Sequence, residues 1–271
     1  MDVPNQLSQI IFNDKNKLFT EKELNDLLSK YDYRCEIKDI NIFRNAMVHK
    51  SYCLRKNEDF KEGNLECPPD CLPLQEESNE RLEYLGDAVL SLAIGTYLYQ
   101  RYYDSNEGFL TRLRTKLVNG RMLARLCSYI GISDWFIISK QIEISSGRNN
   151  MKILEDTFEA LLGAMYLNCG CVLEPVQRWV VNLIEDTVDI TELIMHNDNY
   201  KDQLVKYFQQ TYGYVAKFYD YGVDVIDNNK VYTVCLKDKD NNIIQKASAN
   251  SKKNAENECA RLYLQEHRPA L

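Results

Sequence analysis

Two segments of this chain set acidic side chains at helical spacing beside small residues. The first runs Asn79-Glu80-Arg81-Leu82-Glu83-Tyr84-Leu85-Gly86-Asp87-Ala88-Val89-Leu90. On a helix of about 3.6 residues per turn its Glu80, Glu83 and Asp87 fall within about 60° of one another, while Leu82, Leu85 and Val89 lie opposite. The second segment, Ile153 to Ala164, carries the pair Asp156 and Glu159, with Phe158, Leu161, Leu162 and the following Met165 supplying apolar packing. Like charges at this spacing disfavour a helix by a few tenths of a kcal/mol per pair unless something positive sits among them. An isolated acidic stripe is most often a solvated helix face. Here Gly86-Asp87-Ala88 and Gly163-Ala164 would let two helices approach closely with their carboxylates facing. Facing carboxylates on packed helices build divalent-metal sites, and all-oxygen ligands favour magnesium or manganese over zinc.

Helical patterns surround both segments. Thr20-Glu21-Lys22-Glu23 is a capping box opening a helix whose Leu24, Leu27, Leu28 and Tyr31 share a face. Further helices are expected near residues 41–49, 80–103, 109–130, 151–168 and 175–194. Residues 1–19 read as a polar lead-in, and residues 54–78, with three prolines and many charges, as a surface insertion. After His196-Asn197-Asp198-Asn199 the pattern becomes helix (200–211), three strands (214–221, 230–238 and 242–249) and helix (251–266), with a turn at Asp240-Asn241-Asn242. The fold class expected is a mostly α helical domain over 1–197 followed by a small α+β domain, in α-β-β-β-α order, over 198–271.

Composition narrows the setting. With 45% apolar residues in 271, each domain can bury a core. The longest nearly apolar run, Ala88 to Tyr99, is too short for a membrane span, which needs roughly 20 residues. The start carries no secretory signal, so an intracellular protein with nine reduced cysteines is expected. Cys67 and Cys71, or Cys169 and Cys171, have no obvious second pair of zinc ligands, the three histidines being far apart. The net charge of −7 argues at first against a nucleic-acid partner. Residues 198–268, however, hold 11 Lys+Arg against 10 Asp+Glu, and the remainder 22 against 30, so the acidic excess lies where carboxylates could hold metal.

Glu80 to Leu90 is very similar to the signature of ribonuclease III. Asp156 to Ala164 resembles that family's second acidic motif, and His49-Lys50-Ser51-Tyr52 its short upstream motif; Glu107-Gly108-Phe109-Leu110-Thr111 and Leu117-Val118-Asn119 also fall where members have similar residues. The resemblance implies a helical-bundle endonuclease in which Glu83, Asp87, Asp156 and Glu159 ligate Mg²⁺, with Mn²⁺ as a substitute, and Glu80 and Glu107 complete the acidic valley. It implies two-metal hydrolysis of both strands of duplex RNA by a homodimer, leaving 5′-phosphate and 3′-hydroxyl ends with short 3′ overhangs. Lys152 matches a lysine that eukaryotic members place near the scissile phosphate, or is an ordinary solvated lysine. Tyr84 stands at an interface aromatic's position, or is a core tyrosine. The insertion is more similar to eukaryotic and large-DNA-virus members than to compact bacterial ones.

The second domain looks like a double-stranded-RNA-binding domain, whose last helix starts with phosphate-reaching lysines, here Lys252 and Lys253. Two positions depart from that pattern. The loop near Val225-Ile226-Asp227-Asn228 lacks the usual histidine, and Val205 and Lys206 replace a Gln-Glu pair, though Gln203 is close by. Weak affinity from this domain alone is therefore expected. Two other readings are a non-catalytic protein that binds or sequesters duplex RNA and a helical phosphohydrolase of small molecules. All six acidic positions are intact, which favours the nuclease.

Overall fold

The structure, a computed structural model, describes residues 11–54, 66–195, 200–226 and 229–267. The chain divides into two compact units, Met1–Leu193 and Ile194–Leu271.

The first unit is helical: α1 (Glu21–Ser29), α2 (Ile40–Ala46), α3 (Glu80–Arg101), α4 (Glu107–Leu117), α5 (Gly120–Ile130), α6 (Lys140–Ile144), α7 (Met151–Asn168) and α8 (Leu173–Thr187), with α9 (Ile190–Met195) running across the boundary at Leu193. At its centre α3 lies against α7, with α2 and α5 on α7 and α4 on α3. Phe158, Leu161, Leu162 and Met165 of α7 are fully buried beside Trp179 of α8. The capping box at Thr20 forms as expected, its hydroxyl accepting from Glu23 N and Glu23 Oε2 accepting from Thr20 N at 2.7 Å.

Some expected elements change at their ends, each for a local reason. The span 109–130 is two helices, because Asn119 ends one and starts the next. Its side-chain amide donates to Lys116 O at 2.8 Å, and its Oδ1 accepts from Met122 N at 3.0 Å. The span 175–194 breaks likewise at Asp189, whose Oδ1 accepts from Glu192 N. Helix α2 stops at Ala46, and Lys50–Tyr52 forms a separate 3-10 turn capped by His49. Residues 11–19 are no polar lead-in: Ile11, Phe12 and Phe19 are buried, and the amides of buried Asn13 and Asn16 both donate to Ile138 O. Of the expected insertion, 55–65 lies outside the described residues. Its far flank is pinned down, Leu54 N donating to Gln75 O and Gln75 N to Tyr52 O.

In the second unit α10 (Tyr200–Tyr212) and α11 (Lys252–His267) pack on the antiparallel sheet of β1 (Lys217–Ile226), β2 (Asn229–Lys237) and β3 (Ile243–Ala249), in the order β1-β2-β3. Leu204, Phe208, Val234, Leu236, Ala255, Cys259 and Tyr263 form its core. The β2–β3 turn takes the expected form: Asp238 Oδ1 accepts from Asp240 N and Asn242 N, and Asn241 adopts φ 65°. Strand β1 starts later than expected and reaches Ile226, so the loop placed at 225–228 is strand through Ile226, and 227–228 lie outside the described residues. Among the described residues no helix is long and apolar enough to cross a membrane.

Candidate metal centre

Helices α3 and α7 meet backbone to backbone. A Cβ on Gly86 would stand 1.7 Å from the carbonyl oxygen of Glu159, and a Cβ on Gly163 2.4 Å from that of Leu82. Only glycine permits this approach, so the small residues noted in sequence are what bring the two acidic segments together. At this crossing, carboxylate oxygens of Glu83, Asp156 and Glu159 lie within 4.8 Å of one another. Glu159 is 7% exposed.

Three carboxylates so close, one buried, hold a surplus of negative charge. Burial, then the charges of Asp87, Glu155 and Glu83, pushes the Glu159 carboxyl up to about 8 from its ordinary 4.5. Burial and the charge of Asp156 also raise Glu83. The compensating cation is Lys152, whose ammonium lies 2.6 Å from Asp156 Oδ1, 3.7 Å from Glu155 Oε2 and 3.8 Å from Glu83 Oε1. Asp156 Oδ1 is buried, and this ammonium is the cation set against it. One ammonium against this many carboxylates leaves room, in charge and in oxygen donors, for a hard divalent cation. The residues present therefore fit magnesium or manganese.

Glu159 also makes stability depend on pH. The folded protein keeps its proton up to about pH 8, whereas the unfolded chain loses it near 4.5. Metal-free stability is thus expected to fall as pH rises from 5 to 8, by on the order of 3 kcal/mol, and to level off above. Chemical denaturation in chelator at pH 5.5 and 8 checks this; equal stability, or a rise with pH, in wild type relative to Glu159→Gln would count against the buried acid.

The other expected site residues stand around this centre. Asp87, on the exposed side of α3, raises Glu159 electrostatically but is outside the group of three within 4.8 Å. Glu80 pairs with Lys50 at 3.1 Å, which holds its carboxyl below the usual range; His49-Lys50 thus places a cation at the edge of the acidic row. Glu107 is not part of the group. It sits in the first turn of α4, accepts from Thr111 Oγ1 at 2.8 Å and lines a groove with Tyr99 and Arg114. Tyr84 is 83% exposed, which rules out a core tyrosine. Lys152 is likewise more than a solvated lysine, bridging three carboxylates. In the second unit Lys252 and Lys253 are exposed at the start of α11, and Lys252 is paired with Asp220 of β1 at 2.7 Å. Gln203 is half-buried on α10. Glu155 lies outside the acidic pair of its segment; its spacing of three from Lys152 and four from Glu159 is the sequence signal that points to it.

Comparison with known proteins places these helices. Residues 80–170 match the Ribonuclease III domain and residues 200–267 the Double-stranded RNA binding motif. Ribonuclease 3 of Campylobacter fetus is 36% identical over 190 residues, 69% of this chain and 83% of that protein. The chain belongs to the ribonuclease III family. A probable ribonuclease 3 of Acanthamoeba polyphaga mimivirus is 35% identical over 248 residues, 91% of this chain, which spans only 45% of that longer relative. The solved nuclease domain of ribonuclease III from Campylobacter jejuni is 30% identical and covers 63% of this chain and 97% of its own, with a TM-score of 0.49. The ribonuclease III signature is the N-terminal half of α3, and the family's second acidic motif is α7. The domain order is that of a helical endoribonuclease-family domain followed by a double-stranded-RNA-binding motif.

Proposed function

We propose that this protein is a magnesium-dependent endoribonuclease that cuts duplex RNA as a homodimer, leaving 5′-phosphate and 3′-hydroxyl ends with short 3′ overhangs. The observation that carries this reading is the convergence of Glu83, Asp156 and Glu159 from two helices locked by glycine contacts. Magnesium, or manganese in its place, held there with Asp87 would supply an activated water and offset the charge on the leaving 3′ oxygen. To serve as a ligand, Glu159 gives up its proton. Lys152, 64% exposed at the rim, is placed to neutralise a non-bridging phosphate oxygen. Glu80 keeps the row acidic while Lys50 limits its repulsion. Gln203, Lys252 and Lys253 would hold the duplex by its shape and phosphates.

The homodimer reading rests on one face of α3. Tyr84, Leu92 and Tyr99, 83%, 58% and 72% exposed, fall within about 80° of one another. A row of exposed large apolar side chains marks an association surface. Tyr84→Arg is expected to weaken self-association about 100-fold, on the scale of losing a buried aromatic anchor, which sedimentation of both proteins over a concentration series will show. A variant that associates like wild type would place the interface elsewhere.

To test the activity, a long RNA duplex is incubated with the full chain and Mg²⁺ or Mn²⁺, and the products are resolved and their ends sequenced. Short duplexes with 5′ phosphates are expected. A duplex bound but left intact would favour sequestration instead.

A further inference from the structure

We propose that Glu155 is a positioning residue that holds Lys152 at the rim of the metal centre by lodging in a notch made by Gly120. This rests on the proposed metal centre and deepens it. A Cβ on Gly120 would stand 2.6 Å from Glu155 Oε2, 2.7 Å from Cδ and 2.8 Å from Oε1. The carboxylate therefore occupies the place that a Cβ would take at Gly120, and any other residue there would push it aside. Gly120 is the first residue of α5, an 11-residue helix, so the positive end of the helix dipole faces the carboxylate. From that seat Glu155 Oε2 is 3.7 Å from Lys152 Nζ.

The consequence concerns what happens to the lysine. Its ammonium is now shared among Glu83, Glu155 and Asp156. Glu83 and Asp156 belong to the group of converging oxygens and Glu155 does not. With a divalent ion held in that group, Glu83 and Asp156 would attract Lys152 less strongly. Glu155, fixed by Gly120, is then the anion that keeps the ammonium at the rim instead of competing for Asp156 or swinging into solvent. With Glu155 neutral, the carboxylates left to Lys152 among the described residues are Glu83 and Asp156, so the ammonium opposes metal entry.

The test is a double-mutant cycle read by metal binding. Mg²⁺ affinity is measured calorimetrically on the full chain, without RNA, for wild type, Glu155→Gln, Lys152→Ala and the double variant. Glu155→Gln is expected to weaken Mg²⁺ about tenfold when Lys152 is present and less than about twofold when it is absent, a non-additivity within the range for contacting residues. Gly120→Ala, which keeps every charge but fills the notch, is expected to reproduce the tenfold loss, and it carries the test if Glu155→Gln does not fold. Equal effects of Glu155→Gln in both backgrounds, or wild-type binding by Gly120→Ala, overturn the proposal while the metal centre stands. A wild type that binds neither Mg²⁺ nor Mn²⁺ overturns both.

Discussion

Glu159→Gln is expected to lower the cleavage rate of duplex RNA by on the order of 10³-fold while leaving the fold intact and the metal-free protein more stable than wild type. The rate loss follows from removing a ligand of a metal centre that offsets several kcal/mol of developing charge, about 1.4 kcal/mol being a factor of ten. The gain in stability follows from burial. Glu159 is 7% exposed and surrounded by Glu83, Asp87 and Glu155, which is why its carboxyl is pushed up to about 8. A neutral amide of the same shape avoids the cost of ionising there. Above pH 8, in chelator, the variant should therefore melt at a higher temperature than wild type, and adding Mg²⁺ should stabilise wild type far more than the variant. These opposite signs separate a ligand from an ordinary core residue, whose loss lowers activity and stability together. Binding of uncut duplex, measured in Ca²⁺ or without metal, should stay within about threefold of wild type, because Glu159 is buried and its replacement leaves the exposed groups that meet phosphates in place. A variant that cleaves as fast as wild type would remove Glu159 from the site.

Gly86→Ala is expected to cost more stability than any other single methyl added to α3, about 3 kcal/mol or more. The new Cβ would meet the Glu159 carbonyl oxygen at 1.7 Å and its carbon at 2.5 Å. Backbone on a packed helix cannot swing aside as a side chain can, so α7 must shift as a body, and overpacking of this kind usually costs 1–3 kcal/mol even where side chains give way. The shift falls on the residue that supplies the buried carboxylate, so metal affinity should drop with stability. Gly95→Ala is the control on the same helix. Its Cβ would meet only Arg114 Nη1 at 3.8 Å, an ordinary contact, and replacing a mid-helix glycine there should stabilise by roughly 0.5–1 kcal/mol. Thermal and denaturant unfolding of both variants decide the matter. If Gly86→Ala unfolds like Gly95→Ala, then α3 and α7 do not meet backbone to backbone, and the basis for the converging carboxylates goes with it.

Much of this was legible along the chain because it depends on local periodicity. The acidic row of α3, the acidic pair and apolar flank of α7, and the helix of 151–168 are properties of one segment each, set by which side chains a 3.6-residue repeat brings to one side. The glycines could be read as points of close approach, since only a missing side chain lets backbones touch. The Thr20 capping box and the Asp238–Asn242 turn were likewise readable, because each is closed by side chains within a few residues. The breaks at Asn119 and Asp189 were not. In sequence, a capping Asn or Asp inside an apolar periodicity looks like an exposed residue of one long helix, and only the hydrogen bonds made by its side chain end it.

What the tertiary structure decided is everything that depends on which distant residue lies opposite. Asn13 and Asn16 read as polar lead-in until Ile138, more than 120 positions away, is seen to accept from both. Lys252 reads as a free phosphate ligand until Asp220 is found against it, and Glu107, read as completing the acidic valley, is seen only in the fold to line a groove with Tyr99 and Arg114. Residue types and their spacing determined that this chain has two acidic helices able to face each other around a hard cation, and a small domain after them. Whether a given carboxylate keeps its proton, pairs with lysine or stays open for metal depends on desolvation and on charges carried by other elements. Those quantities exist only once the helices have packed, which is why Glu159 and Glu155 acquire their distinct states in the folded protein alone.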